Sequence, residues 1–292
     1  MHLTKRELIS DSLLLLTALI WGTGFVVVKN TLDSFPPAAI ITIRYAVSAL
    51  ITAVVFRKQL KGLNRKDVLL GLVVGFLLAA SFIVQTIGLQ YTTAGKNAFL
   101  TTVYVLLVPF FSRVLFKEKL HRGDFIAAGL MLAGIGCLSL DSAGGGLNIG
   151  DFLTIICGGF FAAHIIAVER CQRQTNAYAL IVLQFAFAAL FSFLYNRLFE
   201  RDLPMLFSVG SVGGLLYVSV VSTTIAMSLQ NIGQMYAPAS HAAILLSLES
   251  VFGALFSWLL LGEALTVQMV TGFAVIFCAL MVSVKTPHGK NA

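Results

Sequence analysis

The chain has 292 residues, 58% of them hydrophobic and only 11% charged, where soluble domains carry about 25% charged residues. That balance cannot clothe a water-facing surface, so it excludes an ordinary soluble fold and makes lipid the expected solvent. The formal net charge of +7 comes from Lys and Arg gathered in short loops between apolar runs, which is a membrane-topology signal and not a nucleic-acid surface.

A span needs about 20 mostly apolar residues, and ten runs qualify: 10–29, 37–56, 68–89, 94–116, 124–140, 150–168, 177–196, 207–230, 238–261 and 266–285. The first follows Lys5 and Arg6, but its apolar stretch is too long for a signal peptide and no A-x-A site ends it, so it reads as a retained span. After "DSFPP" the second span carries Arg44 about 12 Å from its outer end, where helix packing and substrate attraction are equally good readings. The third brings Gly71 and Gly75, a G-x-x-x-G pattern that signals close helix approach, then Ser81 and Gln85. The fourth opens on Lys96 and holds Asn97, Thr101 and Tyr104 as a polar stripe. The sixth contains His164, for which a satisfied interior group is the default. The eighth shows Thr223, Met227, Gln230 and Gln234 at helical spacing. The ninth opens on His241 and carries Glu249. The four cysteines include no C-x-x-C pair, which argues against both a disulfide framework and a zinc site.

Counting Lys and Arg orients the chain. With the N-terminus inside, 14 of the 20 fall on the inner side, 4 on the outer side, and Arg44 and Arg113 lie within spans. The bias predicts that both termini are cytoplasmic.

The two halves of the chain resemble each other. An offset of 140 pairs Asp11 with Asp151, Leu13 with Leu153 and Trp21 with Phe161; from the third span the offset is 145, pairing Gln85 with Gln230, Gly88 with Gly233, Tyr91 with Tyr236, and Glu118 with Glu263. Each unit, 1–140 and 141–292, has five spans, an odd number, so the second copy must be upside down. Inverted repeats place a substrate site near the midplane between them. The expected fold is therefore an all-α membrane protein of ten transmembrane helices in two inverted five-helix repeats.

The segments "WGTGFVVVK" (21–29), Arg44, "GLQYTTAGKNAFLTTVYVLLVPF" (88–110), "LFKEKL" (115–120), "GDFLTIICGGFFAAHII" (150–166) and "LESVFGALFSWLLLGEAL" (248–265) together resemble the drug/metabolite transporter superfamily, EamA type. The resemblance implies transport of amino acids or related metabolites. One departure stands out: the family commonly reads L-E-P-V where this chain has Leu248-Glu249-Ser250-Val251, which removes a kink element from the ninth helix.

Glu249 is the only one of 13 acidic residues deep within a span, and an intramembrane ionisable residue is a functional candidate by default. The offset makes Tyr104 its repeat mate, and makes Lys96 the mate of His241. Lys96 and His241 precede Tyr104 and Glu249 by eight residues, about 12 Å of helix, so Tyr104 and Glu249 should both reach mid-membrane from opposite directions. Lys96 either snorkels outward or attracts a substrate carboxylate. Gln85 and Gln230 suit a zwitterionic or heterocyclic ligand or serve as interhelical glue, and Trp21 lines an apolar wall. Glu118 and Glu263 read as end-caps or gate locks. The substrate-binding candidates are Glu249, Tyr104, Lys96, Asn97, Thr101, Gln85, Gln230, His164, Trp21 and His241.

No Walker A, G-x-S-x-G or H-E-x-x-H sequence occurs, so neither ATP driving nor an intramembrane enzyme is indicated, and no cofactor or metal is implied. The expectation is a multi-pass plasma (inner) membrane transporter, directed outward, for a small polar or amphipathic metabolite such as an amino acid. Glu249 would carry a coupling proton or neutralise a substrate ammonium. The alternatives are uptake or exchange of nucleotide-like or drug-like metabolites, or a channel or receptor on the same fold.

Overall fold

The computed structural model describes residues 5–117, 119–139 and 147–285, and among them it is helical with no strand. Ten helices follow in order: α1 (Lys5–Thr31), α2 (Pro37–Val55), α3 (Arg65–Tyr91), α4 (Ala94–Phe116), α5 (Arg122–Ser139), α6 (Ile149–Gln172), α7 (Ala177–Phe199), α8 (Val209–Gln234), α9 (Ala239–Leu261) and α10 (Val267–Lys285). Eight are long and apolar enough to cross a bilayer, and α10 adds a shorter apolar stretch, Val267–Ala279. "Inner" and "outer" below follow the charge bias, with the start of α1 inner.

Local chemistry sets the helix starts. Asn64 and Asp67 form a capping box on α3, and Asn148 and Asp151 form one on α6. Ser208 caps α8 and Asn176 caps α7. Where the chain offers proline instead, a distant acid takes over. Pro36 cannot cap α2, and Glu200 accepts from the Ala38 N–H at 2.8 Å. Pro238 cannot cap α9, and Glu169 accepts from the Ala239 N–H at 3.2 Å.

Polarity is turned inward, as lipid solvent demands. Leu50, Val54, Leu198 and Phe199 are 70% exposed or more, while Ser48, Gln184 and Asn231 are fully buried. Interhelical hydrogen bonds, not a hydrophobic drive, then hold the polar interior together.

The packing repeats itself across the halves. α2 packs on α7, α4 on α9 and α5 on α10, each helix on its own mate; α6 packs on α3 and α4 as α1 packs on α8 and α9. The correspondence reaches individual atoms. A methyl group on Gly88 would meet the Gly150 carbonyl and the Thr154 side chain, and one on Gly233 would meet the Ser10 carbonyl and the Leu14 side chain. Those partners are mates at the same offsets of 140 and 145. Gly71 and Gly75 bring α3 against Leu183 and Phe187 of α7, so the G-x-x-x-G pattern marks a close approach.

α4 breaks between Thr101 and Tyr104, and α9 between Leu246 and Glu249. The missing proline therefore does not straighten α9. At each break a hydroxyl reaches back three residues, Thr102 to the Phe99 carbonyl and Ser247 to the Ile244 carbonyl, both at 2.6 Å. Backbone N–H groups shift to the same three-residue spacing, Val103 to Leu100 and Leu248 to Leu245, both at 3.3 Å, tightening the helix to a 3₁₀ turn. Thr102 and Ser247 are mates, so both repeats break at equivalent positions by equivalent bonds. α8 departs in the opposite sense. Val218–Ile225 is π-helical, and Thr223 and Thr224 donate to carbonyls five residues back, Val218 at 2.7 Å and Ser219 at 2.8 Å.

Candidate functional site

The breaks in α4 and α9 place the first residues of their second segments, Tyr104 and Glu249, side by side. The Tyr104 hydroxyl donates to Glu249 Oε1 at 3.1 Å, with the two side chains 2% and 3% exposed. They border a central cavity between the two repeats. Its apolar wall is aromatic: Trp21 and Phe25 from α1, Phe82 from α3 and Phe161 from α6. Trp21 is held in place by donating Nε1–H to the Ser222 carbonyl at 2.9 Å, beside the π-helical turn.

The polar groups on the wall are held just as firmly. Arg44 is 2% exposed and donates Nε–H to Thr223 Oγ1 at 2.6 Å. Its guanidinium carbon lies 4.5 Å from the Phe82 ring centre and 5.5 Å from that of Tyr45. Thr223 Oγ1 can accept from Arg44 because its own proton goes to the Val218 carbonyl. A second relay fixes His164. Asn231 donates to the Met227 carbonyl, Gln184 donates to Asn231 Oδ1 at 3.0 Å, and Gln184 Oε1 faces His164 Nε2 at 3.1 Å. A carbonyl can only accept, so the amides orient back along the chain. His164 donates from Nε2, which leaves Nδ1 as an acceptor on a residue that lines the cavity.

Gln85 and Gln230, repeat mates, both line the cavity. Gln85 donates to Thr101 at 3.0 Å, and Gln230 donates to Gln234 at 3.2 Å while its Oε1 has no protein partner. The cavity thus offers a carboxyl, a guanidinium, an imidazole acceptor and two amides on an aromatic frame.

The profile of the EamA-like transporter family matches residues 8–140 and again residues 148–285. The chain belongs to the EamA-like transporter family. An uncharacterised transporter of Archaeoglobus fulgidus is 36% identical over 285 residues, covering 96% of this chain and 87% of that one. The transporter YetK of Bacillus subtilis, also uncharacterised, is 25% identical, covering 97% of this chain and 88% of its own. A solved crystal structure shares the fold with a TM-score of 0.72 at 17% identity, covering 94% of this chain and 96% of that one.

In this EamA-like transporter the other candidates lie away from the cavity wall. Asn97 is buried between helices and donates to Thr154 of α6 at 2.7 Å, and Thr101 donates to the Asn97 carbonyl. Lys96 neither snorkels nor reaches the cavity: its side chain is 3% exposed, with Nζ 3.9 Å from Asp151 of α6. His241 sits at the inner mouth, where Nε2 meets Asp11 of α1 at 2.8 Å. Lys96 and His241 are mates, and so are Asp151 and Asp11. Equivalent contacts therefore occur at the outer start of α4 and the inner start of α9, and each instance joins one repeat to the other. At the outer mouth Glu263 also accepts from the Ala94 and Gly95 N–H groups at 2.8 and 3.1 Å, and Ser257 donates to it. Glu263 thus caps α4 across the repeat boundary; its mate Glu118 lies outside the described residues.

Arg44 is the wall residue that sequence reasoning leaves undecided. Its depth is legible, but its neighbours depend on the π-helical turn, which has no local sequence signature.

Proposed function

We propose that this chain is a secondary transporter of the plasma (inner) membrane that moves a small polar or amphipathic metabolite, such as an amino acid, outward. The units 1–140 and 141–292 rock against each other around the Tyr104–Glu249 level. The observation that carries this reading is the pair of mated latches, Lys96–Asp151 outside and His241–Asp11 inside, with the cavity between them. Alternating access between inverted repeats opens two faces in turn, and equivalent contacts at opposite faces suit that exchange. A channel needs no such equivalence.

Glu249 is the only deep acid and receives one positive charge, either a coupling proton or a substrate ammonium. Its carboxyl stands in the first turn of the second segment of α9, where the helix dipole favours negative charge. The test is counterflow of labelled amino acids in proteoliposomes at several pH values. Trans-loaded substrate should accelerate uptake, and Glu249→Gln should lose the pH dependence or at least about tenfold in rate, the equivalent of one charge-assisted hydrogen bond. Net flux without exchange acceleration would replace the carrier with a channel. Unchanged uptake and pH dependence in Glu249→Gln would remove Glu249 from the mechanism.

A further inference from the structure

A guanidinium carries five N–H donors. Arg44 spends one, from Nε, on Thr223. Its other contacts are the faces of Phe82 and Tyr45, so Nη1 and Nη2 donate to no described residue. Neither Nη is sealed among the enclosed polar atoms that lack a partner, and Arg44 lines the central cavity; the free edge therefore borders that space. No carboxylate of a described residue lies within ion-pair distance of Arg44, and Glu249, on the same cavity, does not reach it. A cation over a ring face recovers only part of what burying an ion takes from hydration. The bonds that are made hold the group still. Thr223 fixes the Nε edge and the rings fix the plane, which leaves the Nη1–Nη2 fork as the presented edge. A fork of two parallel N–H groups matches the two oxygens of a carboxylate.

We propose that Arg44 is the anion-recognition residue of the cavity, taking a carboxylate of the substrate in a two-pronged bond on its Nη1–Nη2 edge. The proposal rests on the reading of the cavity as the substrate site. It divides the wall into an anion pole at Arg44 and a cation pole at Glu249 and the His164 Nδ1 acceptor, with aromatic side chains between them.

The test uses the full-length protein in detergent and three probes suited to an aromatic wall: L-phenylalanine, hydrocinnamate, which keeps the carboxylate and lacks the amine, and L-phenylalaninamide, which keeps the amine and lacks the carboxylate. Thermal stabilisation against probe concentration gives apparent affinities. Both carboxylate-bearing probes should stabilise the wild type, and the amide should bind roughly tenfold more weakly or worse. Arg44→Gln should erase that preference, and Arg44→Lys should restore part of it. If Arg44→Gln does not yield monodisperse protein, Thr223→Val takes its place. It keeps the charge but frees the guanidinium to turn, and should narrow the preference severalfold. Equal binding of phenylalanine and its amide, an unchanged preference in both variants, or no stabilisation by either carboxylate would overturn the assignment.

Proteoliposome exchange of labelled phenylalanine separates this proposal from the transport reading. Exchange that Arg44→Gln leaves untouched sinks the anion site and keeps the transporter. Binding that depends on Arg44 without exchange keeps the anion site and sinks the transporter.

Discussion

Thr223 holds two features at once, the wide turn of α8 through the Val218 carbonyl and the Arg44 guanidinium through Nε. Thr223→Val keeps shape and volume but removes the hydroxyl, leaving a buried donor and acceptor unmet, which costs about 1–3 kcal/mol. A clear fall in melting temperature is expected for Thr223→Val and little change for Thr223→Ser. Equal melting temperatures for wild type and Thr223→Val would mean that water replaces the hydroxyl. The same scale shows what a sequence can disclose. Tyr104 and Glu249 are 145 residues apart, yet the repeat offset pairs them, and their depth about eight residues into each span brings both to mid-membrane. Asn97 and Thr101 look like the same stripe, but the turn at 102–103 changes which face follows, and they serve packing. Arg44 is undecidable locally, since both readings of a deep arginine fit until its partners are known.

At the scale of helices, the spans were legible and the irregularities were not. A 3₁₀ break made by Thr102 or Ser247 looks like any hydroxyl in an apolar run. The break in α9 suggests its own test. Ser250 lies in the first turn of the second segment, where proline is tolerated. Ser250→Pro should keep the fold at a cost within about 1–2 kcal/mol, whereas Ala254→Pro, one turn further on, should cost about 3 kcal/mol or more. Comparable melting temperatures for the two would mean that α9 is continuous. The start of α2 yields a pH prediction. Burial lifts the Glu200 carboxyl above its ordinary range, outweighing the bonds from Ala38 and Asn196 that favour the charged form. The folded state then holds this proton to higher pH than the unfolded chain does. The associated stability is present at acid pH and declines as pH rises from the ordinary carboxylate value through the folded one. Glu200→Gln keeps an acceptor for the Ala38 N–H and should flatten that decline in thermal unfolding. A pH profile identical to the wild type would show that Glu200 ionises without penalty.

At the scale of the whole molecule, the sequence shows two units and the structure shows what the duplication achieves. Every helix of the first unit that packs strongly on the second does so through a contact whose mate exists elsewhere. The residues that realise this, Lys96 with Asp151 and His241 with Asp11, are visible in sequence only as separate polar positions near span ends. That they pair across units follows from the inversion, which brings the start of α6 to the start of α4 and the start of α1 to the start of α9. The outer pair is buried, and the inner pair is partly exposed, at 46% and 22% of its side chains.

If these two latches oppose each other, weakening one shifts access to the opposite side from weakening the other. The shift is measured by replacing the native cysteines, placing a single cysteine at Ser222 on the cavity wall, and labelling it with a membrane-impermeant thiol reagent from each side. Lys96→Met should raise labelling from outside and lower it from inside, while His241→Ala should do the reverse. Labelling that moves in the same direction for both variants, or for neither, would show that the two latches do not oppose each other.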